Sequence, residues 1–322
     1  TGACHVRATR FEIVLHGERP AALRAAGEEA LRVVEELEAQ LSLFRPASEI
    51  AHLNARAARE PVRVTPGLFA LLQQAQKLHA ESDGAFDITI GPLVRCWGYM
   101  GGDGRLPRAE EVAAARKQVG MGLVRLNPDA FTVQFAREGV MLNLGALGKG
   151  YAVERAAEVL REAGVASALI HGGTSTVQAI GQPPGEDFWK IAIQTPSPLP
   201  DRPPVARYVI PGRPGESADS PSPALKGTLS VNLGTTDGPL TLSLSPSEGE
   251  RVPFRAGEGL KGTERDSAAR SLLAVVPLKD EAMSVSGVWG NSFQVGERTY
   301  GHIIDPRAGE PASGTVLAAV VL

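Results

Sequence analysis

Phe11, Ile13 and Leu15 alternate with polar or smaller residues across Thr9–Gly17, the period-two pattern of a half-buried strand. The period then changes. Pro20 opens a segment whose apolar positions, Leu23, Ala26, Ala30, Val34, Leu37 and Leu41, fall near helical spacing, and Pro46 is expected to end it. Thr65-Pro66 reads as a cap followed by a first-turn proline, with Leu68, Leu71, Leu72, Ala75 and Leu78 as the buried stripe of a helix that stops before Gly84. Phe131, Val133 and Phe135 alternate, then Val140, Leu142 and Leu144 do so beyond a Glu138-Gly139 turn, which predicts a hairpin. A glycine loop leads into a helix over about Tyr151–Ala163, ended by Gly164, and Val165–Ile170 reads as a strand. Further strands are expected at Ala269–Val276 and Gly314–Leu322.

The pattern lapses after Gln194. Thr195 to about Ser267 is dense in Pro, Ser and Gly, too poor in apolar residues to bury much surface. Two stretches within it, GTLSVNLG and GPLTLSLSP, look like a small hairpin. The sequence on both sides has the same globular character, so 195–267 is expected to be an insertion into a single domain spanning 1–322.

Composition narrows the function. Of the 322 residues, 43% are hydrophobic, enough for a buried core. A net charge of −3 gives no polyanion-binding surface, so no nucleic-acid partner is expected. No apolar run reaches the length of a membrane span. Cys4 and Cys96 are too few for a disulfide framework or a cysteine-rich zinc site. The sequence starts at Thr1 rather than at a methionine, so an upstream segment is expected, and TGAC before His5 reads as an ordinary small-residue start.

Three stretches carry candidate chemistry. In NLGALGKGYA (Asn143–Ala152), glycines between a strand and a helix let backbone N–H groups approach a phosphate, and Lys149 adds a full charge. Neither the Walker A spacing nor the Rossmann spacing of glycines is met, and a packing loop is an equally good reading. In SDGAFDITIGPLVRCWGY (Ser82–Tyr99), Asp83-Gly84 is a turn, Asp87 suits a strand-start cap, and Trp97 and Tyr99 suit core packing. In GHIIDPRAGEPASGTV (Gly301–Val316), His302 stands between a glycine and two isoleucines, and Asp305-Pro306 is a turn.

Four separated segments, FRPASEIAHLNA, SDGAFDITIGPLV, LNLGALGKGYAVERAAEVLREAGV and SVSGVWGNSF…GHIIDP, together resemble the FAD:protein FMN transferases of the ApbE family. The resemblance runs in order over most of the chain outside the insertion. It implies an α+β fold of mixed and antiparallel sheets with packed helices, ApbE-like and T-fold-like. It also implies an enzyme that uses FAD as substrate, requires Mg²⁺, releases AMP and attaches FMN to a threonine or serine of a target flavoprotein. The family's flavin-binding positions fall on Phe44, on Ala85, Phe86 and Asp87, on Asn143, on Lys149 and on Ile303. A metal-binding position falls on Ala146, through its main-chain carbonyl. His302 is the candidate base for the attacking hydroxyl, with Asp305 to orient it. Family members act on the periplasmic side of the bacterial inner membrane, which is the expected location, with the cytoplasm as alternative.

The sequence departs from the family pattern in several places. The aspartate that usually opens the glycine loop is Asn143, a methionine of the N-terminal motif is Arg7, a G-G-D is replaced within HGGTSTV, and T-S-G-D-Y is represented by VSGVWG. A helix carrying two further metal ligands would follow the IDP motif, and the sequence ends at Leu322 before it, so slow transfer with weak Mg²⁺ dependence is expected. These departures define the alternative: a flavin-binding or FAD-hydrolysing homologue that has lost transfer. A third possibility is a structural module in which the glycine loop only packs.

Overall fold

The computed structural model describes residues 2–6, 9–194, 240–241, 272–287, 291–312 and 318–322. They divide into two compact units. One comprises Thr1–Val33, Val153–Ser286 and Ala319–Leu322, and the other Val34–Ala152 with Gly287–Ala318. The expected insertion at 195–267 lies outside the described residues, apart from Leu240–Thr241, which pair antiparallel with the strand Thr9–Leu15.

The first unit is built on a seven-stranded sheet. Its path runs through Gly2–Val6, Thr9–Leu15, Ala168–Gly172, Thr176–Ile180, Ala282–Gly287 and Ala318–Val321. The alternation read at Thr9–Leu15 holds: Phe11, Ile13 and Leu15 are buried and the residues between them are half-buried. Trp189–Gln194 and Leu272–Leu278 form a separate antiparallel pair, and Leu169, Val177, Trp189, Ile191 and Leu278 share one buried cluster. Gly181 turns with φ +54, and a Cβ there would lie 2.1 Å from Ala166 O, so only glycine fits.

Helix α1 (Pro20–Leu41) begins at the expected proline but ends before Pro46, because the loop 42–48 is organised by the cap of α2 (Glu49–Arg56). Ser48 Oγ accepts from Ala51 N and donates to Ser42 O. In the second unit α3 (Pro66–Glu81) starts as its sequence predicts, with Thr65 accepting from Leu68 N and Pro66 in the first turn. Short elements follow: α4 (Gly91–Cys96), α5 (Ala109–Arg116) and the antiparallel strands Val124–Asn127 and Thr132–Phe135. Ile50, Leu53, Leu68, Leu72, Val133 and Leu142 are among the side chains of the main cluster here.

The expected hairpin across Glu138-Gly139 does not form. Thr132–Phe135 pairs instead with Val124–Asn127 and with Val62–Arg63. Val140, Leu142 and Leu144 are all buried, and so is Met141 between them, so the run is buried on both sides of the alternation. Their backbone partners come from elsewhere. Leu142 is bonded on both its N–H and its C=O by the Asn54 side chain, and Asn143 N donates to Ile88 O at 2.7 Å. Helix α6 (Gly148–Glu162) starts three residues earlier than expected, so Lys149 and Gly150 lie in its first turn.

Candidate functional site

The second unit draws the motif-bearing stretches together through main-chain hydrogen bonds. Ser48 cinches the loop at 42–48 and leaves Phe44 49% exposed. From the same segment, Asn54 Nδ2 donates to Leu142 O at 3.0 Å and Asn54 Oδ1 accepts from Leu142 N at 2.8 Å. Both bonds fix the strand-like run that leads into the glycine turn. Nothing in the sequence singled out Asn54, because the partnership joins residues 88 positions apart.

The turn itself follows from Asn143. Its Oδ1 accepts from Gly145 N at 2.8 Å, and Leu147 N and Gly148 N both donate to Leu144 O. Ala146, exposed, sits at the outer edge of this turn. A Cβ added at Gly150 would meet no atom within 4 Å, and one at Gly148 would only touch Leu144 Cβ at 4.0 Å. Neither glycine is in the left-handed region. These glycines therefore serve no packing or turn requirement of the protein, and what they leave is open space over the first turn of a helix. Lys149 beside them is partly buried, and burial lowers its pKa from the ordinary lysine value.

Asp83 and Gly84 both adopt positive φ, 49° and 76°, giving the turn read from their sequence. After it, Ala85 is exposed and Phe86 half-buried. Asp87 is not the start of a strand but a buried anchor, its side chain 2% exposed. Oδ1 accepts from Thr89 N at 2.7 Å and from the Thr89 hydroxyl, and Oδ2 lies 3.3 Å from His79 Nδ1. His79 Nδ1 is also 3.0 Å from Phe86 O, so this nitrogen carries the hydrogen. The expectation that Asp87 accepts from a ligand group gives way to this internal role, because both oxygens turn toward the protein. Thr89 Oγ1 in turn accepts from Gly120 N.

Trp97 and Tyr99, read as packing residues, also tie the last stretch in place. Trp97 Nε1 donates to Gly309 O at 2.8 Å and Tyr99 Oη to Tyr300 O at 2.8 Å. Between these anchors lies His302, half-buried, with Ile303 beside it. The ring's Nδ1 is 3.1 Å from Asn291 O, and the Tyr99 ring meets it edge-on at 6.4 Å. A carbonyl only accepts, so Nδ1 carries the hydrogen and Nε2 of the neutral ring holds the lone pair. Asp305 does not orient His302. Its carboxylate accepts from Arg307 Nε and Nη2 at 2.9 and 2.8 Å, and that guanidinium holds its pKa below the usual carboxylate value. The main-chain carbonyl of Asn291 takes the orienting place.

The comparisons with known proteins point the same way. The profile of the ApbE family matches residues 8–213 and 256–322. The chain belongs to the ApbE family. Among curated relatives, the FAD:protein FMN transferase of Vibrio cholerae is 24% identical over 298 residues, 90% of this chain and 66% of that protein. The one from Treponema pallidum is 30% identical over 202 residues, 58% of this chain and 56% of the relative. The chain thus spans between half and two thirds of the length of these two relatives. The ApbE protein of Thermotoga maritima has the same fold, with a TM-score of 0.69 at 21% identity, covering 99% of this chain and 79% of that one. The Vibrio cholerae flavin transferase ApbE gives 0.67 at 21% identity, with 99% and 79% covered. These likenesses confirm an ApbE-like α+β fold.

The implied ligands fare differently when tested against this ApbE chain. The open side of Gly148 and Gly150, the Lys149 charge and the exposed Phe44 ring fit a dinucleotide with a diphosphate. Among the described residues Mg²⁺ does not find a matching donor set. No group of three or more His, Cys, Asp or Glu side chains gathers among the described residues, and the carboxylates of Asp87 and Asp305 are turned to protein donors. The Ala146 carbonyl alone does not make a site for an ion that favours octahedral oxygen coordination with one or two carboxylates.

Proposed function

We propose that the chain is a flavin transferase that moves FMN from FAD to a threonine or serine hydroxyl of a target flavoprotein, with AMP as leaving group. The observation that carries the reading is the open helix turn at Gly148–Gly150, where missing side chains answer to no need of the protein. The relatives named above are FAD:protein FMN transferases, which supports the same assignment.

In this reading the first turn of α6 and Lys149 receive the diphosphate, the helix N-terminus adding partial positive charge. Asn143 shapes the turn, and Ala85, Phe86 and Ile303 border the flavin with Phe44. His302 Nε2 takes the proton from the attacking hydroxyl. The hydroxyl oxygen bonds to the FMN phosphorus, the bond from that phosphorus to the bridging oxygen breaks, and AMP departs with the electron pair. Nδ1–H stays on the Asn291 carbonyl, so the imidazolium that forms remains hydrogen-bonded.

A second reading, binding or hydrolysis of FAD without transfer, is favoured by Asn143, which stands where the family has an aspartate. One experiment separates them: FAD and a flavin-acceptor protein are incubated with the chain, with and without Mg²⁺, and the acceptor is scanned for fluorescence after denaturing electrophoresis. Transfer predicts a covalent flavin band. With His302→Ala the band should fade by about 10²–10⁴-fold while FAD affinity stays within a few-fold. Free FMN and AMP with no band would establish hydrolysis. Equal loss of binding and turnover would make His302 a flavin contact instead.

A further inference from the structure

A cavity of about 630 Å³ opens on the second unit, away from the glycine turn in its lining: none of Phe44, Ala146, Lys149 or His302 borders it, and of the flavin-binding positions that the resemblance implies only Asp87 does. Its cationic wall is Arg116, Lys117 and Arg307, with His79 at the edge and Asp87 as its one carboxylate. Asp87 contributes little charge to the opening, since its side chain is 2% exposed and its oxygens face Thr89 and His79. Arg307 is neutralised by Asp305 through two hydrogen bonds. That leaves two cations uncompensated. Arg116 and Lys117 make no ion pair among the described residues, although neighbouring surface arginines such as Arg105 and Arg108 are paired with Glu111.

The arrangement is built. Arg116 Nη2 donates to Arg307 O at 2.6 Å, and the arginine stem lies against Gly309, where a Cβ would meet its Cδ at 2.6 Å. Gly309 at φ +77 therefore gives Arg116 its seat. The arginine keeps further N–H donors for a ligand. Gly84 also lines the cavity, where a Cβ would lie in ordinary contact with His79 Cε1 at 3.4 Å and Arg307 Cγ at 3.9 Å. Because His79 Nδ1 is held by Phe86 O, the Cε1–Nε2 edge is the one turned toward Gly84. Ala113, Val119 and Pro306 add apolar surface.

Two unpaired cations, one of them a braced guanidinium, beside apolar walls in a volume of small-molecule size select an anion with an organic part. We propose that this cavity binds an organic phosphomonoester, its phosphate between Arg116 and Lys117 and its organic part on Val119 and Pro306. The inference rests on this cavity alone and stands apart from the flavin transfer proposed above.

The test is calorimetric titration of the full chain with AMP, inorganic phosphate and adenosine, repeated with FAD in excess. AMP should bind saturably and more tightly than phosphate, adenosine should not bind, and FAD should leave the AMP affinity unchanged. Lys117→Gln, which removes no ion pair or hydrogen bond of that side chain, should weaken AMP about tenfold or more, and Arg116→Gln likewise. Absence of AMP binding at millimolar concentration would overturn the proposal. So would AMP binding that both variants leave intact, adenosine binding equal to AMP, or displacement of AMP by FAD, which would make the cavity part of the flavin site. Failure of FAD to bind at all, with AMP still bound and sensitive to Lys117, would refute the transferase reading and leave this one standing.

Discussion

At the scale of single residues, Lys149 carries the sharpest consequence. Burial lowers its pKa below the ordinary lysine value of 10.5, and an anionic diphosphate favours the charged form. FAD affinity should therefore fall as pH rises through the lowered pKa of the free protein, before an exposed lysine would titrate. Lys149→Arg should flatten that alkaline limb, and Lys149→Ala should weaken FAD at neutral pH by about 1.5–3 kcal/mol, read from calorimetric titrations across pH. An alkaline limb that survives in the arginine variant would assign it to another group. Lys149, Phe44 and His302 were legible in the sequence because their residue types suit the chemistry. Their partners were not. The Asn291 carbonyl that orients His302 is a main-chain group, and a main-chain group leaves no mark on residue identity. Asp305 was misassigned for a related reason: its neighbour in sequence, Arg307, competes for it over a shorter chain distance.

Among elements, the run Val140–Leu144 shows what alternation does and does not reveal. It marks Val140, Leu142 and Leu144 correctly as buried, but it is silent on the burial of Met141 and on which backbone supplies the hydrogen bonds. Here a side chain supplies two of them. Asn54→Ala should leave the buried N–H and C=O of Leu142 unpaired, at about 1–3 kcal/mol for each group. Thermal unfolding should register that loss, and FAD affinity should drop with it, since the same run leads into the glycine turn. Unchanged FAD binding in a destabilised Asn54→Ala protein would show that the turn holds its shape without this brace. The helix caps were easier to read: Thr65-Pro66 is a local signal, complete within a few residues, and it places the start of α3 correctly.

For the molecule as a whole, the resemblance carried by four separated motifs made the α+β class and the family legible, while the division into two compact units was not, because it depends on contacts remote in sequence. The sheet unit has its own pH signature. His171, opposite Glu12 in the Thr9–Leu15 and Ala168–Gly172 pair, has its pKa lowered below 6.5, chiefly by burial, with Glu12 opposing. A histidine harder to protonate folded than unfolded stabilises fully above the unfolded pKa, and this contribution is lost as pH falls below about 6.5 toward the folded pKa. Denaturant midpoints should therefore fall over that range in the native chain and less steeply in His171→Gln. Equal slopes would remove His171 from the acid response. Whether the glycine turn is open for a ligand rather than for packing is decided by FAD titration and thermal unfolding of Gly150→Ala beside the native chain. A Cβ at Gly150 meets no protein atom, and alanine is favoured over glycine within a helix by about 0.5–1 kcal/mol, so the variant should be at least as stable. It should nevertheless bind FAD about tenfold or more weakly, because the methyl group occupies the place of the diphosphate. A variant that gains stability and binds FAD as the native chain does would show that the diphosphate does not lie on this turn.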